Sequence, residues 1–210
     1  MTDAAGSSSP VDLPLQLPQL VDAAADLTRY LFSVDPERLQ HSEAVAERAA
    51  LLTAAVHDDQ APFVVAAAWL HDIGYASALK QTGFHPLDGA RHLRAAGWPP
   101  ALCDLVAHHS GSRFVAAERE LEQEMAEFSF HEDLVTDALT VADQTAGPHG
   151  RAMTVDDRIH DMLTRHGDDS PNARAHQRRG PYLLAAAERV AARLEAAGID
   201  PAVHHIYRLP

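Results

Sequence analysis

The chain has 210 residues, of which 46% are hydrophobic and 6% aromatic, and its formal net charge is -13. This length suits one domain, and the acidity argues against binding to a nucleic acid polymer, because a basic stripe is needed to displace counterions from phosphates. The single cysteine, Cys103, excludes an intramolecular disulfide and a cysteine-based zinc site. Alanine runs at 66–68 and 185–187 favour closely packed helices, so we expect an all-α, single-domain helical bundle.

The N-terminal residues 1–18 include three serines, three prolines, two aspartates and one glycine. This composition predicts a disordered or loosely attached segment ahead of a helical domain at 19–210, with a motif core at 36–146 and C-terminal helices at 150–200. The first basic residue is Arg29, and no apolar run approaches the length of a membrane span. We therefore expect a cytoplasmic protein that does not act at a membrane.

Helix start and stop signals become regular after the N-terminal segment. Asp35-Pro36 is typical of an N-cap followed by the first helical position, and it predicts a helix to about residue 56. The apolar stretch from Ala61 to Ile73 predicts a buried helix that stops at Gly74. Further helices are expected at about 86–96, 99–109, 114–127, 131–146, 154–166 and 181–197.

Histidine and aspartate recur in these helices and helix ends, in the order His41, His71, Asp72, His85, His108, His109 and Asp143. Imidazole nitrogens and carboxylates bind divalent transition metals, so a helical bundle that gathers them would form a metal site. Neighbouring helix residues point about 100° apart, so His71 and Asp72 reach one ion only where the helix ends. Gly74 supplies that end.

Each of these residues also has an ordinary interpretation. His41 alone is more often a hydrogen-bonded core histidine, and Asp143 alone is a surface residue at a helix end. The pair His108-His109 suits a helix terminus, where the dipole favours histidine. Since all of these interpretations must hold together to exclude a metal site, the order of the whole set favours the metal site.

These residues, with the local motif His71-Asp72-Ile73-Gly74, resemble the HD superfamily of metal-dependent phosphohydrolases over about residues 36–146. The resemblance implies hydrolysis of a phosphate ester through a metal-bound hydroxide, with His71 and Asp72 as catalytic residues. It implies a first metal held by His41, His71, Asp72 and Asp143. It implies a second metal held by His85 and His108, with His109 as an additional ligand. The ligand chemistry indicates one or two ions of Mn, Fe, Co, Ni or Zn.

The expected substrate is a nucleotide or a related small phosphorylated molecule. Many members of the superfamily have lysine after His-Asp-Ile-Gly, whereas this chain has Tyr75. Lys80 and Arg113 are candidates for substrate binding, with ordinary surface positions as the alternative. The segment 178–182 either closes over a substrate or forms a surface turn. Two other functions stay open, a di-iron oxygenase with the same fold and a non-catalytic nucleotide-binding regulatory module.

Overall fold

Helices form the regular structure of the part of the chain that the computed structural model describes, residues 17–147, 150–166 and 169–206. Within these ranges there is no β-strand, and the predicted all-α fold is confirmed. The α-helices in chain order are α1 (Leu17–Leu31), α2 (Pro36–Leu51), α3 (Ala61–Leu70), α4 (His85–Ala95), α5 (Pro100–His108), α6 (Ser112–Ala117), α7 (Glu122–Met125), α8 (Leu134–Thr145), α9 (Val155–His166) and α10 (Pro171–Ala196). Short 3-10 turns include Thr53–Ala55, Ile73–Tyr75, Ser77–Leu79, His109–Gly111 and Pro201–His204.

The helices differ from the predicted set mainly in three places. The helix expected at 114–127 is divided into α6 and α7, because Glu120 adopts a left-handed backbone with φ of 59°. Helix α10 begins at Pro171, well before the predicted start at Pro181, which lies inside the helix. Proline is common in the first turn of a helix and is tolerated in a helix interior at a cost in stability. The prediction took Pro181 as the first turn and therefore placed the start of the helix too late. Helix α1 precedes the first predicted helix and adds to the set.

Helices α3 and α8 carry the buried centre of the molecule. Helix α3 is apolar on every face, and it packs against α1, α2, α5 and α8. Helix α8 is buried from Val135 to Thr145, and its N-cap Asp133 accepts a hydrogen bond from the Thr136 amide at 2.9 Å. A helix without a polar face belongs in a core. The polar residues at the C-terminal ends of α3 and α8 are consequently carried into the interior.

Helix α10 covers α6, α8 and α9 from one side. A bidentate ion pair fixes it to α8, in which the Arg189 guanidinium donates to both carboxylate oxygens of Asp137 at 2.7 and 2.8 Å. Asp137 is buried, and two parallel hydrogen bonds specify the geometry of such a pair. The C-terminal helices therefore form a wall beside the end of α8.

Residues 1–16 of the predicted N-terminal segment at 1–18 lie outside the described residues. Its assignment, like the boundary of the helical domain at residue 19, stays a prediction. Of the helices in the described ranges, none has both the length and the apolar character needed to cross a bilayer.

Candidate metal centre

The end of α3 places two adjacent polar side chains in one region. Helix α3 ends at Leu70, and His71 and Asp72 follow it before the 3-10 turn Ile73–Tyr75. Asp72 has left the helical conformation, with φ of -100° and ψ of 1°. His71 Nε2 consequently lies 3.5 Å from Asp72 Oδ1. Both side chains face one centre, as the helix-end argument predicts.

Gly74 allows α4 to approach this turn. A Cβ atom at Gly74 would overlap the carbonyl oxygen of His85 and lie 2.7 Å from the amide nitrogen of Gly89. Only glycine fits here, because the neighbouring atoms belong to the backbone and cannot rotate away. The close contact between the turn and α4 brings His85 Nε2 to 3.2 Å from Asp72 Oδ1.

The candidate ligands form two groups of three, and within each group the ligand atoms lie within 4.8 Å of one another. The first group is His41, His71 and Asp143. The second group is Asp72, His85 and His109. In the first group, Asp143 Oδ1 is 3.4 Å from His41 Nε2 and 3.9 Å from His71 Nε2. Asp72 lies between the two groups, because its Oδ2 atom is also 3.8 Å from His41 Nε2. One carboxylate is therefore placed to serve both groups.

Backbone carbonyls orient two of the imidazoles. His71 Nδ1 lies 2.7 Å from the carbonyl oxygen of Ala68, and His109 Nδ1 lies 2.7 Å from that of Val106. A carbonyl oxygen only accepts hydrogen bonds, so Nδ1 carries the proton and Nε2 presents its lone pair. His71 Nε2 is buried and has no hydrogen-bond partner among the described residues. A buried lone pair beside two carboxylates fits a metal ion, and a second nitrogen held by a carbonyl is typical of metal-binding histidines.

Two residues that the sequence analysis did not single out hold the Asp143 carboxylate. Ser110 Oγ donates a hydrogen bond to Asp143 Oδ2, and Gln144 Nε2 donates to the same oxygen at 3.1 Å. The other oxygen, Oδ1, faces the imidazoles. Ser110 has a left-handed backbone with φ of 51°, and its carbonyl accepts a hydrogen bond from Arg179 Nε at 2.7 Å. The only signal in the sequence is that Ser110 and Gln144 each follow a candidate ligand.

The protonation states of the centre suit a cation. Burial favours the neutral form of the Asp72 and Asp143 carboxyls, but the positive charge that the adjacent imidazoles carry when protonated outweighs it and holds the pKa of both well below the usual range. Burial lowers the pKa of His109 to about 3, with a further contribution from His71 and His85. Burial also lowers the pKa of His85. Ionised carboxylates and neutral imidazoles are the forms that bind metal ions.

A model of the HD domain family matches residues 38–159, which is more than half of the chain and includes both ligand groups. The chain belongs to the HD domain family. The HD domain indicates the superfamily of metal-dependent phosphohydrolases, and the resemblance found in the sequence is confirmed. Comparison with the curated proteins and with the solved structures gave no match.

Asp88 positions His85, a candidate ligand of this HD domain, through the preceding loop. The buried Asp88 carboxylate accepts hydrogen bonds from the amides of Gln81, Thr82 and Gly83 at 3.2, 2.9 and 3.0 Å. The His85 ring then stacks on Tyr75, with ring centroids 3.9 Å apart and an interplanar angle of 17°. Tyr75, at the position of the common lysine, thus supports the side chain of a candidate ligand.

His108 lies apart from the other candidate ligands of the HD domain. Its Nε2 atom is 3.0 Å from the carbonyl oxygen of Phe128, and its ring packs against Phe130. His109 instead reaches His85, with the two Nε2 atoms 3.3 Å apart. The expected pairing of His85 with His108 is therefore replaced by a pairing with His109. The reason is that α5 ends at His108, so the next residue points in a different direction.

A cavity of about 330 Å³ adjoins the candidate ligands, and the arginines among its lining residues are Arg38, Arg119, Arg158, Arg165 and Arg179. Arg38 Nη1 donates to Asp72 Oδ2 at 2.9 Å. The predicted substrate residues are not among the described residues that line this cavity. Lys80 is exposed, and the Arg113 guanidinium packs over aromatic rings, at 3.7 Å from the centroid of Phe130. The segment 178–182 is part of α10 rather than a turn, and it contributes Arg179 to the cavity.

Proposed function

We propose that this protein is a metal-dependent phosphohydrolase that cleaves a phosphate ester of a nucleotide or a related small phosphorylated molecule. The observation that carries the proposal is the sharing of Asp72 between two His/Asp groups beside an arginine-lined cavity. A carboxylate between two such groups is the arrangement expected of a two-metal hydrolytic site.

The donor set defines which ions fit. His41, His71 and Asp143 would hold one ion, His85 and His109 would hold the other, and Asp72 would contact both. Nitrogen and oxygen donors without thiolate favour Mn, Fe, Co, Ni or Zn. When bound, such ions lower the pKa of coordinated water toward neutrality and withdraw charge from phosphoryl oxygens.

The chain itself supplies orientation and charge. Ser110 and Gln144 hold one oxygen of Asp143, so its other oxygen stays directed at the imidazoles. Arg38 and Arg158 lie beside the ligand carboxylates, where their remaining N–H groups are placed to donate to phosphoryl oxygens. Local arginines are needed because the chain as a whole carries a formal net charge of -13 and repels anions.

The test is metal content by plasma mass spectrometry on untagged protein, followed by a phosphate-ester screen on the same preparation. We expect about two transition-metal ions per chain, as a two-metal site requires, together with release of phosphate. Bound iron with oxygen consumption and no phosphate release would favour the oxygenase. Absence of metal and turnover after addition of Mn, Fe, Co, Ni and Zn would contradict the proposal and favour the regulatory module.

A further inference from the structure

We propose that the cavity contains a second anion subsite, formed by Arg158 and Arg165 of α9, which selects substrates that carry another phosphate besides the one that is cleaved. This inference rests on the proposed hydrolase function and specifies its substrate class. The ligand recognised by the subsite is a compact phosphate or phosphoanhydride group.

The charge of the cavity exceeds what one phosphate needs. Five arginines line it, whereas the carboxylates among its described lining residues are those of Asp72 and Asp143, and the Asp161 carboxylate, outside this lining, pairs with two of the arginines. The carboxylates of Asp72 and Asp143 belong to the candidate metal centre, where bound ions would neutralise them, so a net positive charge remains. This excess of positive charge stands out in a chain with a formal net charge of -13. Guanidinium groups gathered in a cleft attract and orient polyanions.

One carboxylate pre-organises the two arginines of the subsite. Asp161 Oδ2 accepts from Arg158 Nη1 at 3.4 Å and from Arg165 Nε at 2.8 Å. A guanidinium has five N–H donors, so each arginine keeps donors for a ligand. Holding both side chains before binding reduces the entropy lost when an anion binds.

The two arginines lie on one face of α9, with Arg158 closer to the candidate metal centre than Arg165. They are two helical turns apart and share one face, with Met162 lining the cavity between them. Arg158 Nη2 lies 3.9 Å from Asp143 Oδ1, so this arginine stands next to the candidate metal centre. The Arg165 backbone lies about 10 Å further along the helix axis, but its guanidinium shares Asp161 Oδ2 with that of Arg158. The two guanidinium groups therefore converge beside the candidate metal centre, and this pair suits a second anion next to the reacting phosphate.

The aromatic rings of the cavity do not offer a face for a nucleobase in the described part of its lining. The Tyr75 ring is covered by the Arg38 guanidinium at 3.7 Å and by the stacked His85 ring at 3.9 Å. Phe84 is buried, and the guanidinium of Arg119 lies 5.2 Å from its centroid. Stacking on aromatic side chains is the common means of binding a base without sequence readout. We therefore expect the cavity to select its substrate by a second phosphate and not by a nucleobase.

The test compares Arg165→Gln with a matched control, Arg174→Gln. Both arginines are about half exposed, at 47% and 49%, and both pair with a carboxylate, but Arg174 lies outside the lining of the cavity. The probes are two pairs, glucose 1,6-bisphosphate with glucose 6-phosphate, and pyrophosphate with orthophosphate. Their dissociation constants are measured on metal-reconstituted protein by titration calorimetry and by thermal shift, beside phosphate release from the esters.

We expect the wild-type protein to bind the doubly phosphorylated member of at least one pair about tenfold more tightly, which corresponds to about 1.4 kcal/mol. Arg165→Gln should remove this preference and change the affinity for the singly phosphorylated member less than about twofold, since it removes one charge-assisted contact. Arg174→Gln should leave the preference intact.

Equal affinity within both pairs, or equal losses in the two variants, would overturn the subsite. The hydrolase function would be contradicted by a different result. Selective binding without phosphate release from any ester would retain the subsite and contradict the hydrolase. Phosphate release without preference for the doubly phosphorylated compounds would retain the hydrolase and contradict the subsite.

Discussion

His108 and His109 are adjacent in the chain but line two different cavities. His109 lines the polar cavity of about 330 Å³ beside the candidate metal centre, whereas His108 lines a second cavity of about 230 Å³ with Phe63, Leu105 and Val135. The two imidazoles differ in which nitrogen is held by the backbone. His109 uses Nδ1 and leaves Nε2 facing His85, whereas His108 uses Nε2 and leaves Nδ1 buried without a partner among the described residues. Tertiary contacts, rather than residue type, thus separate a candidate ligand from a packing residue.

The largest expected effect is that of Asp72→Ala in the polar cavity. Asp72 lies within reach of both ligand groups, so its loss should remove most bound metal and reduce phosphate release by more than about a hundredfold, beyond the usual effect of outer-sphere contacts. The helical fold, measured by circular dichroism, should remain. The control is Asp104→Ala, because Asp104 lines the second cavity and accepts a hydrogen bond from the Ser129 amide. Retained activity in metal-depleted Asp72→Ala protein would contradict the proposed role.

The pair His109→Ala and His108→Ala tests the comparison directly. His109→Ala should lower bound metal and reduce turnover by about ten- to a hundredfold or more, because it removes a candidate ligand. His108→Ala should keep its metal and lose about 1–3 kcal/mol of unfolding free energy, because it leaves the Phe128 carbonyl without its partner and opens a space beside Phe130. Metal content and chemical denaturation distinguish the two. Equal metal loss in both variants would remove the distinction between the cavities.

Gly74→Ala tests whether the polar cavity depends on the close contact between the 3-10 turn and α4. The added Cβ meets backbone atoms of His85 and Gly89, so we expect a loss of about 1–3 kcal/mol in unfolding free energy and a lower metal content as His85 is displaced. Gly97→Ala is the control. Gly97 has φ of 78° and no atom within 4 Å of an added Cβ, so its variant carries backbone strain without crowding. Wild-type metal content in both variants would show that His85 does not depend on this contact.

The last expected effect concerns the pH dependence of stability in metal-free protein. The pKa of His109 is lowered to about 3 by burial, whereas an unfolded histidine titrates near about 6.5. Between these values the unfolded chain binds the proton and the folded chain does not. The free energy of unfolding of metal-free protein should therefore fall as pH drops from about 6.5 toward about 3, by up to about 1.4 kcal/mol per pH unit for this group.

His109→Gln should make that dependence shallower, since glutamine does not titrate. Urea denaturation of metal-free protein at a series of pH values measures the slope. The lowered pKa values of His85 and His109 also predict that their group retains metal below about pH 6.5, where an ordinary histidine becomes protonated. An unchanged slope in His109→Gln would contradict the neutral, buried state of this imidazole.

Much of the centre was predictable because it depends on local signals. The apolar run before His71 predicts a buried helix, and Gly74 predicts its end, which together place His71 and Asp72 at one point. The order of His41, His71, Asp72 and Asp143 indicates the HD domain family, and the family match confirms this membership. The predicted helix boundary was wrong at Pro181, which lies inside α10, because proline occurs both in the first turn of a helix and in a helix interior.

The sequence alone therefore determined the all-α class, the family and most of the candidate ligand residues, because periodicity, helix-end signals and residue types are local properties. The tertiary structure decided which of His108 and His109 faces His85, because the side-chain direction after α5 depends on a non-helical backbone. It also placed Arg158 and Arg179 beside the centre rather than Lys80 and Arg113. That choice depends on how α9 and α10 pack against α8, a long-range contact that leaves no spacing pattern in the chain.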